Sequence, residues 1–188
     1  MSDLRDFEPW TLPEFFAWQE GQSERFELVG GFPLKMMTGA SNRHDLVAVN
    51  ILAELRNRLR GSPCRPFTAD GAVETFPGQI RRPDAGIDCG KADLDAYMAK
   101  APTAVFEVLS PSTRDFDRIR KVEEYKSVST MRHIVIIEPT LVSLVHVSRT
   151  SGDAVWETEM LNGIDQTLDL TGAGIQIPVL EIYAGLFD

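Results

Sequence analysis

Residues 104–109, AVFEVL, form an apolar run with one carboxylate in its middle. Ala104, Val105, Phe106, Val108 and Leu109 read as a strand buried on both faces, without the polar alternation of a half-exposed one. Residues 133–138, HIVIIE, repeat the pattern, and Pro139 ends it. Glu107 is the anomaly. An ionised carboxylate inside such a strand is costly unless it is paired, hydrogen-bonded or bound to a metal.

The rest of the chain builds around these two runs. Thr11-Leu-Pro-Glu14 has the form of a capping box and predicts a short helix carrying Phe15, Phe16 and Trp18. Residues 25–37 read as a hairpin around Val29-Gly30-Gly31. Val47, Ile51, Leu55 and Leu59 recur at i+4 steps and predict a long helix over residues 42–60, with Gly61 as its stop. Residues 67–76 and 80–87 read as two strands separated by the Pro77-Gly78 turn. Residues 91–102 read as a surface excursion with a helical turn or two. A helix over 113–128, capped by Ser112 or Thr113, joins the two apolar strands. Segments 141–147, 155–161 and 167–170 suggest added strands, and 179–187 a closing helix or docked tail. Mixed helices and strands predict an α/β or α+β fold. A length of 188 residues without repeat or linker predicts one domain over 1–188.

The N-terminal MSDLRDFEPW lacks the basic start and apolar stretch of a signal peptide, and no apolar run reaches membrane-spanning length. Cys64 and Cys89 make neither a metal-ligand pair nor a disulfide framework. The expectation is a cytoplasmic protein with reduced thiols. The net charge of −9 argues against indiscriminate nucleic-acid binding. The charge is uneven, however: from Glu138 onward eight Asp or Glu stand against Arg149 alone. Arginines cluster earlier, at 56, 58, 60 and 65, at Arg81 and Arg82, and at Arg114, Arg118 and Arg120, so a local basic surface is compatible with the total.

A handful of polar residues stand out. Asp84 follows Pro83 in IRRPDAGI, at a strand edge or start. Glu107 lies in the next long strand, and two carboxylates on neighbouring strands can share one hard cation such as Mg²⁺. Asp117, Lys121 and Tyr125 follow at i+4 steps on one helical stripe. Glu27 sits between Phe26 and Leu28 in RFELVG, and His44 lies one turn before the apolar stripe of the long helix, pointing roughly coreward. Each alone has an ordinary explanation. Glu107 fits a buried salt bridge, Asp84 a turn, and Asp117 with Lys121 a solvated pair worth about 0.3–0.5 kcal/mol.

Their order resembles the PD-(D/E)xK nuclease superfamily. FELVGG, SNRHDLVAVNILAEL, RRPDAGI, VFEVLSPST, DRIRKVEEY and HIVIIEP together resemble the successive blocks of the Uma-two-type restriction endonuclease family within it, over about residues 11–188. The resemblance implies a restriction-endonuclease-like core: a central mixed sheet flanked by helices, here with additional C-terminal strands. It implies that Asp84 and Glu107 bind a divalent metal, Mg²⁺ with Mn²⁺ as substitute. Leu109 stands where the E-x-K form has lysine, and Lys121 matches the family's displaced lysine on the next helix. Glu27 matches an upstream acidic position that completes such sites, and His44 a recurring histidine without an assigned role.

The implied activity is metal-dependent endonucleolytic hydrolysis of DNA phosphodiester bonds, by direct attack of water without a protein nucleophile. No nucleophile elbow surrounds Ser110 or Ser112. Substrate is expected on a face carrying Arg81, Arg82, Arg114 and Arg118. A homodimer is expected because duplex cleavage needs two sites. The alternative is a catalytically silent scaffold or dimeric interaction module that kept the nuclease fold, which the acidic charge favours.

Overall fold

The structure is a computed structural model that describes residues 8–36, 39–110 and 115–187, without the side chains of residues 115–118. In chain order the elements are α1 (Leu12–Gln19), β1 (Phe26–Val29), β2 (Phe32–Lys35), α2 (Asn42–Arg58), β3 (Arg65–Thr68), β4 (Val73–Phe76), β5 (Gln79–Arg81) and β6 (Ala85–Asp88). There follow β7 (Pro102–Val108), α3 (Asp115–Lys126), β8 (His133–Glu138), β9 (Ser143–Ser148), β10 (Glu157–Leu161), β11 (Thr167–Leu170), β12 (Ile175–Pro178) and α4 (Val179–Ile182).

Six strands form the central sheet in the order β10-β9-β8-β7-β6-β3. β7 and β8 run parallel because α3 carries the chain back between them; their other pairings are antiparallel, so the sheet is mixed. The two apolar runs are covered on both sides. Ala104, Phe106, Val108, Val135 and Ile137 pack with Val47, Ile51 and Leu55 of α2. Val105, Ile134 and Ile136 pack on the other face with Val122 and Tyr125 of α3. Each fully buried Val, Leu or Ile contributes about 1.5–3 kcal/mol. Glu107 is the one residue of β7 that is not fully buried. The fold is mixed α/β, a central mixed sheet flanked by helices, as the element pattern predicts.

A second sheet, β2-β1-β5-β4, packs beneath α1, where Phe15 and Phe16 meet Leu28 and Ile80. The capping box that opens α1 is formed: Thr11 N donates to Glu14 Oε2 at 2.8 Å, and Glu14 N donates back to Thr11 Oγ1 at 3.5 Å. β11 and β12 make a third, two-stranded sheet. Among the described residues no helix is long and apolar enough to cross a membrane.

Several elements differ from the sequence expectation. Residues 67–76 do not form one strand but divide between β3 and β4, which belong to different sheets. Residues 80–87 likewise break at Arg82-Pro83-Asp84, where the chain leaves the four-stranded sheet for the central one. Proline has no N–H to continue a ladder, so the break falls there. Gly86 in β6 permits close approach of the Phe67 ring, since a Cβ there would lie 2.1 Å from its Cζ. The excursion after Gly90 contains no helix. Both its ends are tied to one carboxylate instead: Asp88 accepts from Gly90 N at 2.8 Å and from Ala101 N at 2.9 Å. β12 was not anticipated, and the closing helix shortens to α4. The helix cap expected at Ser112 or Thr113 lies outside the described residues.

The expectation of two free thiols is corrected. Cys64 and Cys89 are joined as a disulfide across 25 residues of chain. β3 and β6 pair with Arg65 opposite Asp88, and the next pair outward is Cys64 opposite Cys89, with Cα atoms 4.0 Å apart. Only the strand register reveals this proximity.

Candidate active site

The sheet-to-sheet crossing after β5 positions Asp84. Continuing the Ala85–Phe106 register by one residue brings Asp84 opposite Glu107 across the β6–β7 boundary. Asp84 Oδ2 accepts from Val108 N at 2.8 Å, and His44 Nε2 stands 3.5 Å from the same oxygen. His44 reaches it from the first turn of α2, where the Ser41 side chain accepts from His44 N. The hydrogen bond with Asp84 raises the imidazole pKa, helped by that carboxylate's charge and the Val108 backbone, against partial burial. His44 is half-buried at the mouth of the site rather than in the core beneath α2.

Glu107 enters the site from β7. Its Oε1 accepts from the Tyr125 hydroxyl at 2.7 Å and lies 3.5 Å from Lys121 Nζ. Burial pushes the Glu107 carboxyl up to about 7. The charges of Asp84 and Glu27 add to the effect, while Lys121 and the Tyr125 hydrogen bond oppose it. Lys121 also stands 3.3 Å from Glu27 Oε1, so one ammonium bridges two carboxylates from different sheets. Its side chain is 15% exposed.

Glu27, buried in β1, is held from behind. Arg81 Nη1 donates to its Oε2 at 2.7 Å and Arg82 N to its Oε1 at 3.1 Å. Arg81 in turn donates from Nε and Nη2 to Glu124 Oε2 and Oε1, at 2.5 and 2.9 Å. Burial works against the Arg81 charge, but Glu124 and Glu27 more than offset it and raise its pKa. Arg82 donates to the carbonyls of Phe26 and Asp70, and burial lowers its pKa.

Burial argues against the expected substrate-facing role of Arg81, whereas Arg82, though largely covered, still lines the cleft over this group. Arg81 is 1% exposed and Arg82 6%. Glu27 and Glu124 are buried acids that demand a countercharge, and a planar guanidinium meets two carboxylates at once. The arginine head turns inward because the charges that need it lie inside. Arg114 lies outside the described residues, as do the side chains of Arg118 and Asp117.

A cavity of about 730 Å³ opens over this group, bordered by Glu27, His44, Asp84, Glu107 and Lys121. Leu34, Val49 and Leu52 also line it. Thus Glu27, His44, Asp84, Glu107 and Lys121, all singled out by sequence, border one cleft. Sequence reasoning missed Glu124, for which no local signal exists. It noted Tyr125 only through its i+4 spacing from Lys121.

Among the described residues no three His, Cys, Asp or Glu side chains gather as a metal cage requires. The two carboxylates suit a sparser arrangement. Each is tethered through one oxygen, Asp84 by Oδ2 and Glu107 by Oε1. No hydrogen bond from the described residues reaches Asp84 Oδ1 or Glu107 Oε2. Since no buried side-chain oxygen among these residues lacks a partner, neither oxygen is fully buried, and both belong to residues that line the cleft. Mg²⁺ is commonly held by one or two carboxylates, with waters and substrate oxygens completing its shell. The donor set fits that chemistry.

Comparison with known proteins follows the same lines. A crystal structure from Anabaena variabilis, described as "a putative nuclease belonging to DUF820", superposes with a TM-score of 0.74 over 95% of this chain and 100% of that one, at 16% identity. At that identity the likeness is one of fold. "Uncharacterized protein slr1290" of Synechocystis sp. is 27% identical over 175 residues, 92% of this chain and 90% of the relative. Residues 12–179 match the Uma2 family, described as "Putative restriction endonuclease". With nearly the whole chain inside that match, the protein belongs to the Uma2 family.

Proposed function

We propose that the protein is a metal-dependent endonuclease that hydrolyses DNA phosphodiester bonds in the cleft formed by Asp84, Glu107, Lys121 and Glu27. The observation that carries this reading is the meeting of two tethered carboxylates, each with an open oxygen, beside a lysine held between Glu27 and Glu107. The family description and the likeness of fold support the nuclease class.

A divalent cation, Mg²⁺ or Mn²⁺ in its place, held by Asp84 and Glu107, would polarise a phosphoryl oxygen and lower the pKa of an attacking water. Lys121 stabilises the negative charge that grows on the phosphoryl group and orients the water. Glu27 keeps Lys121 in place, and Arg81 keeps Glu27 in place. His44 and the Val108 N–H hold Asp84. The water gives up a proton to solvent and its oxygen forms a bond to phosphorus as the opposite P–O ester bond breaks. The leaving oxygen takes a proton from solvent, and no covalent enzyme intermediate arises.

Arg81 is committed to Glu27 and Glu124, so Arg82 at the cleft wall, Arg114 and Arg118 are the proposed phosphate-binding arginines. Two copies acting together would cut both strands of a duplex. A cytoplasmic location belongs to this proposal only, because the Cys64–Cys89 bridge removes the free thiols on which it rested.

The second reading, a silent nuclease-fold scaffold or dimeric interaction module, is favoured by the net charge of −9 and the inward turn of Arg81. Calorimetric titration of Mg²⁺ and Mn²⁺ into wild type and Asp84→Ala, paired with cleavage of plasmid and short DNA at low salt, separates the two. The nuclease reading expects metal binding and cleavage by wild type and loss of both in the variant. A wild type that neither binds metal nor cleaves any DNA establishes the scaffold.

A further inference from the structure

Tyr125 is fully buried on α3, one turn beyond Lys121, within the cluster that includes Val105, Met131 and Ile134. A phenylalanine would fill the same apolar space. The hydroxyl adds a polar group whose burial is costly unless it is bonded. It donates to Glu107 Oε1 at 2.7 Å, the short distance of a charge-assisted bond. Lys121 claims the same oxygen at 3.5 Å. Both of these contacts fall on Oε1, and neither is a hydrogen bond to Oε2. Asp84 is organised the same way, with Val108 N and His44 both at Oδ2. Each acid is pinned through one oxygen and presents the other.

A glutamate side chain has three rotatable bonds, and a single ion pair to a long lysine does not fix the plane of its carboxylate. A rigid, packed phenol does. Resting on the metal-dependent reading above, we infer that Tyr125 is a positioning residue for the reaction: its hydroxyl fixes the Glu107 carboxylate so that Oε2 is the oxygen offered to the cation. Its contribution is therefore made before DNA arrives and is independent of DNA affinity.

The test uses the full chain as wild type, Tyr125→Phe and Tyr125→Leu. Mn²⁺ affinity is measured by calorimetry without DNA, kcat and KM by cleavage, and stability by thermal unfolding. Tyr125→Phe keeps the packing and is expected to melt close to wild type. It should bind Mn²⁺ about tenfold more weakly or worse, the usual loss when the partner behind a metal ligand is removed. kcat should fall with KM for DNA unchanged. Tyr125→Leu should share the Mn²⁺ defect and also melt early. Wild-type Mn²⁺ affinity and kcat in Tyr125→Phe, alongside an active wild type, would overturn the inference and leave the nuclease reading standing. So would a lower melting temperature with unchanged Mn²⁺ affinity, which is the mark of a structural hydroxyl. A wild type that neither binds Mn²⁺ nor cleaves overturns both.

Discussion

Arg81 on β5 grips Glu124 on α3 through two hydrogen bonds, 2.5 Å from Nε to Oε2 and 2.9 Å from Nη2 to Oε1, across 43 residues of chain. The same guanidinium holds Glu27 on β1. One buried cation therefore fastens the helix bearing Lys121 and Tyr125 to the four-stranded sheet bearing Glu27. The site is built across two sheets and a helix, and Arg81 is the joint.

Removing that joint should unfold the protein before it alters substrate preference. Breaking a buried ion pair from one side typically costs about 3–5 kcal/mol, because the stranded partner stays charged and buried. Arg81→Ala is expected to lose stability on that scale in urea denaturation, more than Glu124→Gln. A soluble Arg81→Glu protein with wild-type stability and no DNA affinity would instead return Arg81 to the surface.

Lys121→Met should separate chemistry from metal binding. The ammonium lies beside both Glu27 and Glu107, whereas the open oxygens Asp84 Oδ1 and Glu107 Oε2 belong to other residues. Loss of one preorganised stabiliser of this kind costs roughly 10²–10³ in kcat. Cleavage should fall by that order while calorimetric Mn²⁺ affinity stays within a few-fold of wild type. Undiminished cleavage would make Lys121 a mere countercharge for the two acids.

A second polar chain predicts a pH dependence away from the site. Gly172 N donates to His133 Nε2 at 3.0 Å, His133 Nδ1 faces His146 Nε2 at 3.0 Å, and His146 Nδ1 faces Glu159 Oε1 at 2.8 Å. Because His133 Nε2 accepts, its Nδ1 carries the proton and donates toward His146 Nε2. Burial lowers the His133 pKa to about 4, with His146 and Arg132 acting in the same sense and Asp169 against it. Between about pH 6.5 and 4 the unfolded chain takes up a proton that the folded protein refuses. Stability is then fully present above 6.5 and falls by about 3 kcal/mol as pH drops to 4. Urea denaturation at pH 4.5 and 7.5 should show a larger difference for wild type than for His133→Asn. Equal differences would mean that His133 does not carry the effect.

The disulfide should matter to stability and not to chemistry. Cys64 and Cys89 close a loop spanning 25 residues, which in the chain-entropy account stabilises by about 3.5 kcal/mol. The double variant Cys64→Ala with Cys89→Ala should unfold at lower urea by that margin with unchanged Mn²⁺ affinity. A variant as stable as wild type would show the bridge to be energetically idle.

Much of this protein is written locally. The doubly covered strands, the Thr11–Glu14 capping box, the α2 stripe and the i+4 step from Lys121 to Tyr125 all arise between residues close in the chain, where helix and strand periods act directly. The order of Asp84, Glu107 and Lys121 was legible for the same reason, since each sits at a recognisable break or strand. Only tertiary structure decided where the long side chains ended. Arg81 and Arg82 read equally well as surface cations, and nothing near them names Glu27 or Glu124. Cys64 and Cys89 look unrelated until β3 and β6 pair in register. The choice of which carboxylate oxygen is tethered and which stays open depends on a helix docking over a strand 18 residues away. Such pairings are set by the register and packing of distant segments, and the periodicity of any one segment contains no trace of its partner.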